Sequence, residues 1–393
     1  MLPPAVIGVG QTKYASARVE VSTPELIFEV ASRAFADGAI DLSDIDAVVF
    51  ASAPEVFEGV HEPQRWCADA FGGVNKPVLR VHTGGATGGS AALAGAKLVA
   101  GRTFETVLVV GVQRTTEAED AQQIFTTIFD PIFERDIQLN VITSVALQAS
   151  RQMQLFGVTE DHLAAVAVKN FENARRNPFA HLQLEVSEAD VMKSRMLAWP
   201  LRLLHACPRS DGAAAVIITS GEKARQMRTR AWVIGGGEAA DVYRIGDRIH
   251  DAGWDYCEQR ALHWAAAEAY AQAGITDAIQ QVDVIEMYAP FSNMEIVSYE
   301  ALQLVPRGEG TRLLEEEATG LGGEIPVCPS GGCQTANPIG ATGLVRFAEA
   351  ALQVMGRAGE HQVDGARVGV ATATGGIHQF FTVAVLTSEL DVI

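Results

Sequence analysis

The sequence predicts an α/β protein made of two similar halves in tandem, each a layered unit of strands covered by helices. Three observations carry this. Apolar strand patterns alternate with Ala-rich helix patterns, which favours sheets with helices on their faces. Several blocks recur once in each half and in the same order. Strands such as AVVF (47–50) and TVLVVGV (106–112) lack polar alternation, as strands buried on both faces do.

The elements follow in pairs. The opening strand AVIGVG (5–10) corresponds to AWVIGGG (231–237). Residues 31–50, ASRAFADGAIDLSDIDAVVF, correspond to 267–288, AEAYAQAGITDAIQQVDVIEMY. Each is a small-residue helix, a glycine break (Gly38, Gly274), an acidic turn and a buried strand, with Asp46 and Asp283 just ahead of the strand. GATGGSAALAGAKLV (85–99) corresponds to GATGLVRFAEAALQV (340–354), and both lead to apolar strands, at 106–112 and 367–373. Over residues 114–229 the pattern changes to helix-like SVALQASRQMQLFG and EDHLAAVAVKNFENARRN, then a loop, NPFAHLQLEVS. LHACPRSDGAAAVIITS then returns to a glycine break and a buried strand. The expected division is 1–113 with 207–229 as the first half, 114–206 as an inserted substrate-covering subdomain, and 230–393 as the second half.

Composition excludes several function classes. Of 393 residues, 48% are hydrophobic and 20% charged, enough apolar material for a large core. The net charge of -18 and the lack of any Lys/Arg run argue against nucleic acid and against anionic membrane surfaces. No stretch has the apolar length of a membrane span. MLPPAVIGVG runs directly into a strand without a signal-peptide pattern, so a cytoplasmic location is expected. Five scattered cysteines (Cys67, Cys207, Cys257, Cys328, Cys333) read as reduced thiols, and Cys328 with Cys333 has no further ligands for a zinc site. There is no P-loop, and GVGQTKY lacks dinucleotide-fingerprint spacing. No metal, redox group or permanently bound cofactor is expected.

Four blocks carry a family resemblance over nearly the whole chain: CPSGGCQTANPIGATG (328–343), VDVIEMYAPFSNMEIVSYEALQLVPRGEG (282–310), CPRSDGAAAVIIT (207–219) and VATATGGIHQFF (370–381). Together with the duplication they resemble the thiolase superfamily, in its sterol-carrier or lipid-transfer-protein branch. GQTKY (10–14) and RVHTGG (80–85) are similar to blocks of actinobacterial thiolase-like proteins of steroid side-chain breakdown. The resemblance implies a thiolase fold, with two tandem α/β halves in α-β-α-β-α layers and an inserted loop subdomain. It implies a CoA thioester as substrate, a homodimer, and a small OB-fold, zinc-ribbon partner protein.

The same comparison exposes three replacements. A thiolase places a cysteine at the N-terminus of its first-half helix, where dipole and amides lower the thiol pKa. Matching that block to RVHTGGATGG puts Gly85 at this position, or Ala86 with a one-residue shift; neither can form a thioester. The family's histidine before proline is Asn337 here, which can donate a hydrogen bond but is no general base. The C-terminal loop has no sulfur. Ping-pong acyl transfer is therefore disfavoured.

A retro-aldol cleavage of a bulky β-hydroxyacyl-CoA, such as a steroid side-chain intermediate, needs no covalent nucleophile. It needs a base, donors for the enolate oxygen and an acid for the carbon. The resemblance implies Tyr288 for proton transfer, at the end of strand VDVIEM. His82, three residues before Gly85, is a candidate base or thioester donor, and His378 is a candidate acid or base; each has a structural alternative. Gly85, Gly331, Gly332 and Gly376 are candidates for backbone approach to substrate. His205 and Asp211 read as structural. Lys169, Arg175 and Arg176 could meet CoA phosphates or form a solvated helix face. Two alternatives to the lyase stay open: an acyltransferase using Cys207 or Cys333, and a noncatalytic lipid- or CoA-binding scaffold.

Overall fold

The computed structural model describes residues 2–53, 55–137, 139–249 and 253–391. The first half runs β1 (Ala5–Gln11), α1 (Thr23–Gly38), β2 (Ala47–Ala51), β3 (Val78–Val81), α2 (Thr87–Ala100) and β4 (Thr106–Arg114). The inserted region carries α3 (Val141–Phe156), α4 (Glu160–Ala174) and a small ribbon, β5 (Met196–Ala198) with β6 (Leu201–Arg202). β7 (Asp211–Thr219) returns to the first half. The second half is β8 (Ala231–Ala240), α5 (Ile245–Arg248), α6 (Arg260–Ala273), β9 (Val284–Glu286), α7 (Ser292–Ala301), α8 (Ile339–Val354), β10 (Val368–Gly375) and β11 (Phe380–Thr387). Short helical turns join them.

The strands hydrogen-bond in the order β3-β2-β4-β7-β1-β8-β11-β10-β9. The two half-sheets meet through the pairs Ala5–Trp232 and Val6–Ala231 of β1 and β8, with the Val233 amide donating to the Pro4 carbonyl at 2.9 Å. From that seam the first half reads β1-β7-β4-β2-β3 and the second β8-β11-β10-β9. An isolated bridge from Ile285 to Val327 stands in the second half where β3 stands in the first. The duplication seen in the sequence is thus a duplication of topology.

The layering follows from which faces are apolar. α1 covers the outer face of the first half-sheet and α6 that of the second. α2 and α8 lie side by side between the half-sheets, in a core that mixes Val49, Val109 and Val216 with Leu344, Ala371 and Leu386. Strands β2, β4 and β7 are buried along their whole length, as the missing polar alternation requires. The last glycines of the two GATG blocks let the central helices touch. A Cβ on Gly88 would meet the Leu344 backbone nitrogen, and one on Gly343 would meet that of Gly89.

The paired aspartates do the same work in each half. Asp46 Oδ2 accepts from the amides of Glu105 and Thr106, both at 2.9 Å. Asp283 Oδ2 accepts from those of Arg367 and Val368, both at 2.8 Å. Each carboxylate pins the start of the next parallel strand.

The inserted region shares a core with the second half: Val145, Ala149, Leu163 and Val166 pack with residues of α6 and α7. α4 and the turn after it also hold the turn ahead of α8, through Asn173 of the helix to the Cys328 carbonyl at 3.1 Å and Asn177 beyond its end to the Ser330 carbonyl at 3.0 Å. Among the described residues, no helix is long and apolar enough to cross a membrane.

Candidate active site

Tyr288 lies two residues beyond β9, at the end where parallel β9 and β10 finish. Its amide donates to Thr372 Oγ1 at 3.1 Å, which ties it to β10. The side chain is 4% exposed and packs with Ala86, Cys333, Ala373 and Phe380. Its hydroxyl lies within hydrogen-bonding reach of Thr342 and Asn337. It also faces Gly85, where a Cβ would stand 3.4 Å from the hydroxyl oxygen. The same Cβ would stand 2.6 Å from the Thr374 carbonyl oxygen, closer than real side chains come. Position 85 is therefore closed to a side chain by the backbone of β10.

Asn337 is held by three residues. Its amide donates to Ser210 Oγ at 3.0 Å, and that oxygen is 2.9 Å from His181 Nδ1. Thr342 Oγ1 donates to Asn337 Oδ1 at 2.7 Å, and Asn337 Nδ2 donates to Cys207 Sγ at 3.0 Å. Asn337 can thus hold an oxygen or a sulfur in place, but it has no proton-accepting nitrogen.

Burial pushes the Tyr288 phenol well up, with Cys333 and Cys207 adding and hydrogen bonds from Thr342 and Asn337 opposing. At neutral pH Tyr288 is a hydroxyl that donates. Burial pushes the Cys207 thiol up to about 11, against the Asn337 hydrogen bond, and Cys333 well up. Cys67 rises to about 12, and Cys257 and Cys328 also move up through burial. All five cysteines are free, and none sits in an environment that makes a thiolate.

The β10–β11 loop meets the Gly84–Gly85 turn backbone to backbone: a Cβ on Gly84 would stand 3.4 Å from the Gly376 nitrogen. Gly376 has φ of 63°. His378, on the same loop, is 4% exposed, and neither ring nitrogen has a hydrogen-bond partner. Burial, then the Arg248 cation, lowers its pKa to about 3, so the imidazole is neutral.

The structure brings Tyr288, Asn337 and Gly85 together and sets Gly376 beside them. Other candidates lie elsewhere. His82 is exposed at the end of β3. Gly331 and Gly332 have φ of 91° and 62° in the turn under α4, where Cβ atoms would meet Ala174 and the Cys328 sulfur; they shape that turn rather than the cleft. Lys169 is turned inward onto Glu295, which also accepts from Asn170 at 2.8 Å, so its ammonium is committed within the protein. Arg176 pairs with Glu172 at 3.2 Å and Arg175 lies 3.8 Å from Glu185, both at the surface. His205 is fully buried, accepts from the Arg202 amide at 3.1 Å and is lowered to about 4 by burial, a structural histidine. Asp211 accepts from the amides of Arg18 at 3.1 Å and Thr116 at 3.2 Å, fixing that turn.

Sequence reasoning missed Thr342, Ser210 and His181. The repeat held a signal for the first: Thr87, its counterpart in the first GATG block, donates to the Gly84 carbonyl at 2.6 Å. It also missed the buried pair one turn further along α8. There Arg346 donates to Glu286 Oε2 at 2.6 Å, joining α8 to the strand that carries Tyr288. Among the described residues no group of three His, Cys, Asp or Glu side chains could hold a metal ion.

Residues 5–222 match the model of the thiolase N-terminal domain, and residues 248–388 that of the thiolase C-terminal domain-like family. An acetyl-CoA acetyltransferase of Methanothermobacter thermautotrophicus is 35% identical over 95% of this chain and 96% of its own length. Human sterol carrier protein 2 is 30% identical over 92% of this chain and 68% of its own length. Among solved structures, an Ltp2-ChsH2(DUF35) aldolase superposes with a TM-score of 0.84 at 22% identity, covering 100% of this chain and 99% of that one. A monomeric SCP2-thiolase-like protein of Mycobacterium smegmatis superposes with a TM-score of 0.74 at 18% identity, covering 99% and 78%.

Proposed function

The chain belongs to the thiolase superfamily, in its sterol-carrier-protein-2-like branch, and we propose that it is an acyl-CoA carbon–carbon lyase that works without a cysteine nucleophile. The observation that carries this reading is the Tyr288 hydroxyl facing Gly85, the residue that the family resemblance matches to the nucleophile (Ala86 with a one-residue shift), where the Thr374 carbonyl leaves no room for a side chain. A thiolase needs sulfur there. A retro-aldolase needs a proton donor and oxygen-binding groups.

In the proposed reaction the β-hydroxyl proton of a bulky β-hydroxyacyl-CoA goes to a base. The bond between the α- and β-carbons breaks, giving a ketone or aldehyde and the enolate of a shorter acyl-CoA. Tyr288, protonated at neutral pH, is placed to donate to that enolate. Asn337 is the fixed donor for the thioester. His378 is the candidate to take the hydroxyl proton, and return of that proton from the base to the Tyr288 phenolate closes the cycle. Arg175 and Arg176 remain candidates for CoA phosphates. A steroid side-chain intermediate is the substrate class we favour, and a homodimer and a small partner protein are part of the proposal. The paired composition of the Ltp2-ChsH2(DUF35) neighbour supports such a partner.

A second reading, acyl transfer, is supported by the similarity to acetyl-CoA acetyltransferases and by Cys207, a half-buried thiol bonded to Asn337. Product mass spectrometry with a β-branched β-hydroxyacyl-CoA, with and without a candidate partner, decides between them. A ketone plus a short acyl-CoA, formed without free CoA, supports the lyase. A CoA-dependent product with an acylated cysteine overturns it. If no partner yields any product, a binding scaffold replaces both.

A further inference from the structure

We infer that Arg248 is a positioning residue: it fixes the β10–β11 loop, and with it the His378 imidazole, against the Gly84–Gly85 turn. The inference deepens the lyase reading and rests on it for the role of His378, but the geometry is separate.

Arg248 is 5% exposed. Its Nη1 donates to the Ile377 carbonyl at 2.6 Å, and its Nε and Nη2 donate to the Val242 carbonyl at 3.2 and 2.9 Å. A guanidinium taken out of water onto backbone carbonyls is costly to bury. The loop it grips accounts for its placement. Gly376, Ile377 and His378 all have positive φ, of 63°, 51° and 59°. Glycine adopts this conformation freely, but a β-branched isoleucine resists it, so a neighbour must hold the chain there. The Arg248 segment supplies two holds: the guanidinium on Ile377, and the Asp241 amide on the Gln379 carbonyl at 2.7 Å. The loop closes on itself through the Gln379 amide to the Gly375 carbonyl at 2.9 Å.

The consequence falls on His378. Its ring lies 6.1 Å from that of Phe381, centroid to centroid. The charge that bears on the ring is Arg248, which disfavours the imidazolium. Behind Arg248 stand Asp241 and Glu134, with Arg260 paired to Asp241. One side chain thus holds the loop that seats the imidazole and adds its charge to the burial that keeps the ring neutral.

Arg248→Met removes the donors and the charge, while Arg248→Lys keeps the charge without the fork. Arg248→Met with Ile377→Gly removes the side-chain resistance to the left-handed turn. On a β-branched β-hydroxyacyl-CoA, R248M is expected to lower kcat about 100-fold with KM little changed, the effect of a shift of about 1 Å in a reacting group. Adding I377G is expected to return about tenfold of that loss, because glycine holds the turn unaided. In parallel, NMR of histidine-labelled protein follows the His378 ring, assigned with His378→Asn. The wild-type ring is expected not to titrate above about pH 4, while in R248M its titration moves up by the part of the shift that the Arg248 charge supplies and stays below the usual imidazole value near 6.5, because burial remains. This arm needs no turnover, so an inactive wild type counts against the lyase reading while Arg248 stays testable. If R248M does not fold, R248K is read in its place, with an expected kcat loss of about tenfold, since it keeps the charge without the fork, and an unchanged kcat overturns the inference. Unchanged kcat with an unmoved His378 signal overturns the inference, as does a kcat loss that I377G leaves untouched.

Discussion

The Tyr288 hydroxyl stands 3.4 Å from the point where a Cβ on Gly85 would lie. Tyr288 comes from the second half of the chain and Gly85 from the first, and the seam between the two GATG helices is where they meet. Gly85 is closed on its other side by the Thr374 carbonyl. Position 85 is therefore closed on one side by backbone and faced on the other by the Tyr288 hydroxyl.

Tyr288→Phe should abolish carbon–carbon cleavage while leaving the fold intact. The hydroxyl is the group in reach of Asn337 and Thr342, and the ring contacts survive the change. A proton donor of this kind contributes about 10²–10⁴ in rate. Product mass spectrometry measures it; a variant within tenfold of wild type removes Tyr288 from the chemistry.

Gly85→Cys should not create a thiolase. The new Cβ would meet the Thr374 carbonyl at 2.6 Å, and overpacking of this kind costs about 1–3 kcal/mol. Thermal unfolding should show a lower midpoint. Trapping with an acyl-CoA, read by intact-protein mass, should show no acyl adduct at position 85. A stable adduct there would show that the backbone yields.

Stability should fall as pH drops below about 6.5, the unperturbed histidine pKa. His378 and His205 have folded pKa values of about 3 and about 4, both lowered mainly by burial. Between those values and 6.5 the unfolded chain binds more protons than the native one, so unfolding free energy rises with pH in this window and is lost on acidification. His378→Gln should flatten the slope of the denaturant midpoint between about pH 4 and 6.5, by removing one of the protons that histidines take up on unfolding, His181 being lowered by burial as well. An unchanged slope would mean that His378 is reached by water.

Lys169→Met should cost stability and spare acyl-CoA affinity. Glu295, 1% exposed, would lose its cation, and breaking a buried pair costs about 3 kcal/mol. Calorimetry gives the midpoint and titration with a nonreactive acyl-CoA thioether gives the affinity. Weakened binding with an unchanged midpoint would return Lys169 to the CoA site.

Legibility from sequence tracked how local each signal was. The strand–helix order and the pairing of Asp46 with Asp283 were readable because each depends on a short run of residues and its repeat. Tyr288, Asn337 and Gly85 were readable because each fills a position in a recognisable block. Ser210 and His181 were not, since their link to Asn337 crosses 127 residues for Ser210 and a further 29 to His181. Arg248 was invisible for the same reason: its grip on Ile377 spans 129 positions. Lys169 pointed the other way. In a helix pattern it looks like a solvated cation, and only the packing of α4 against α7 turns it onto Glu295.

The sequence by itself determined the duplicated α/β architecture and the thiolase likeness, and that likeness implied the replacement of sulfur and imidazole at three positions. Backbone propensity, apolar periodicity and side-chain chemistry are properties of short segments. Tertiary structure alone decided that position 85 has no room for a side chain, that Asn337 is clamped by Ser210, Thr342 and Cys207, and that His378 is buried and neutral beside Arg248. Those facts depend on distances between segments far apart in the chain, and on the loss of water from around them once the two halves have closed over α2 and α8.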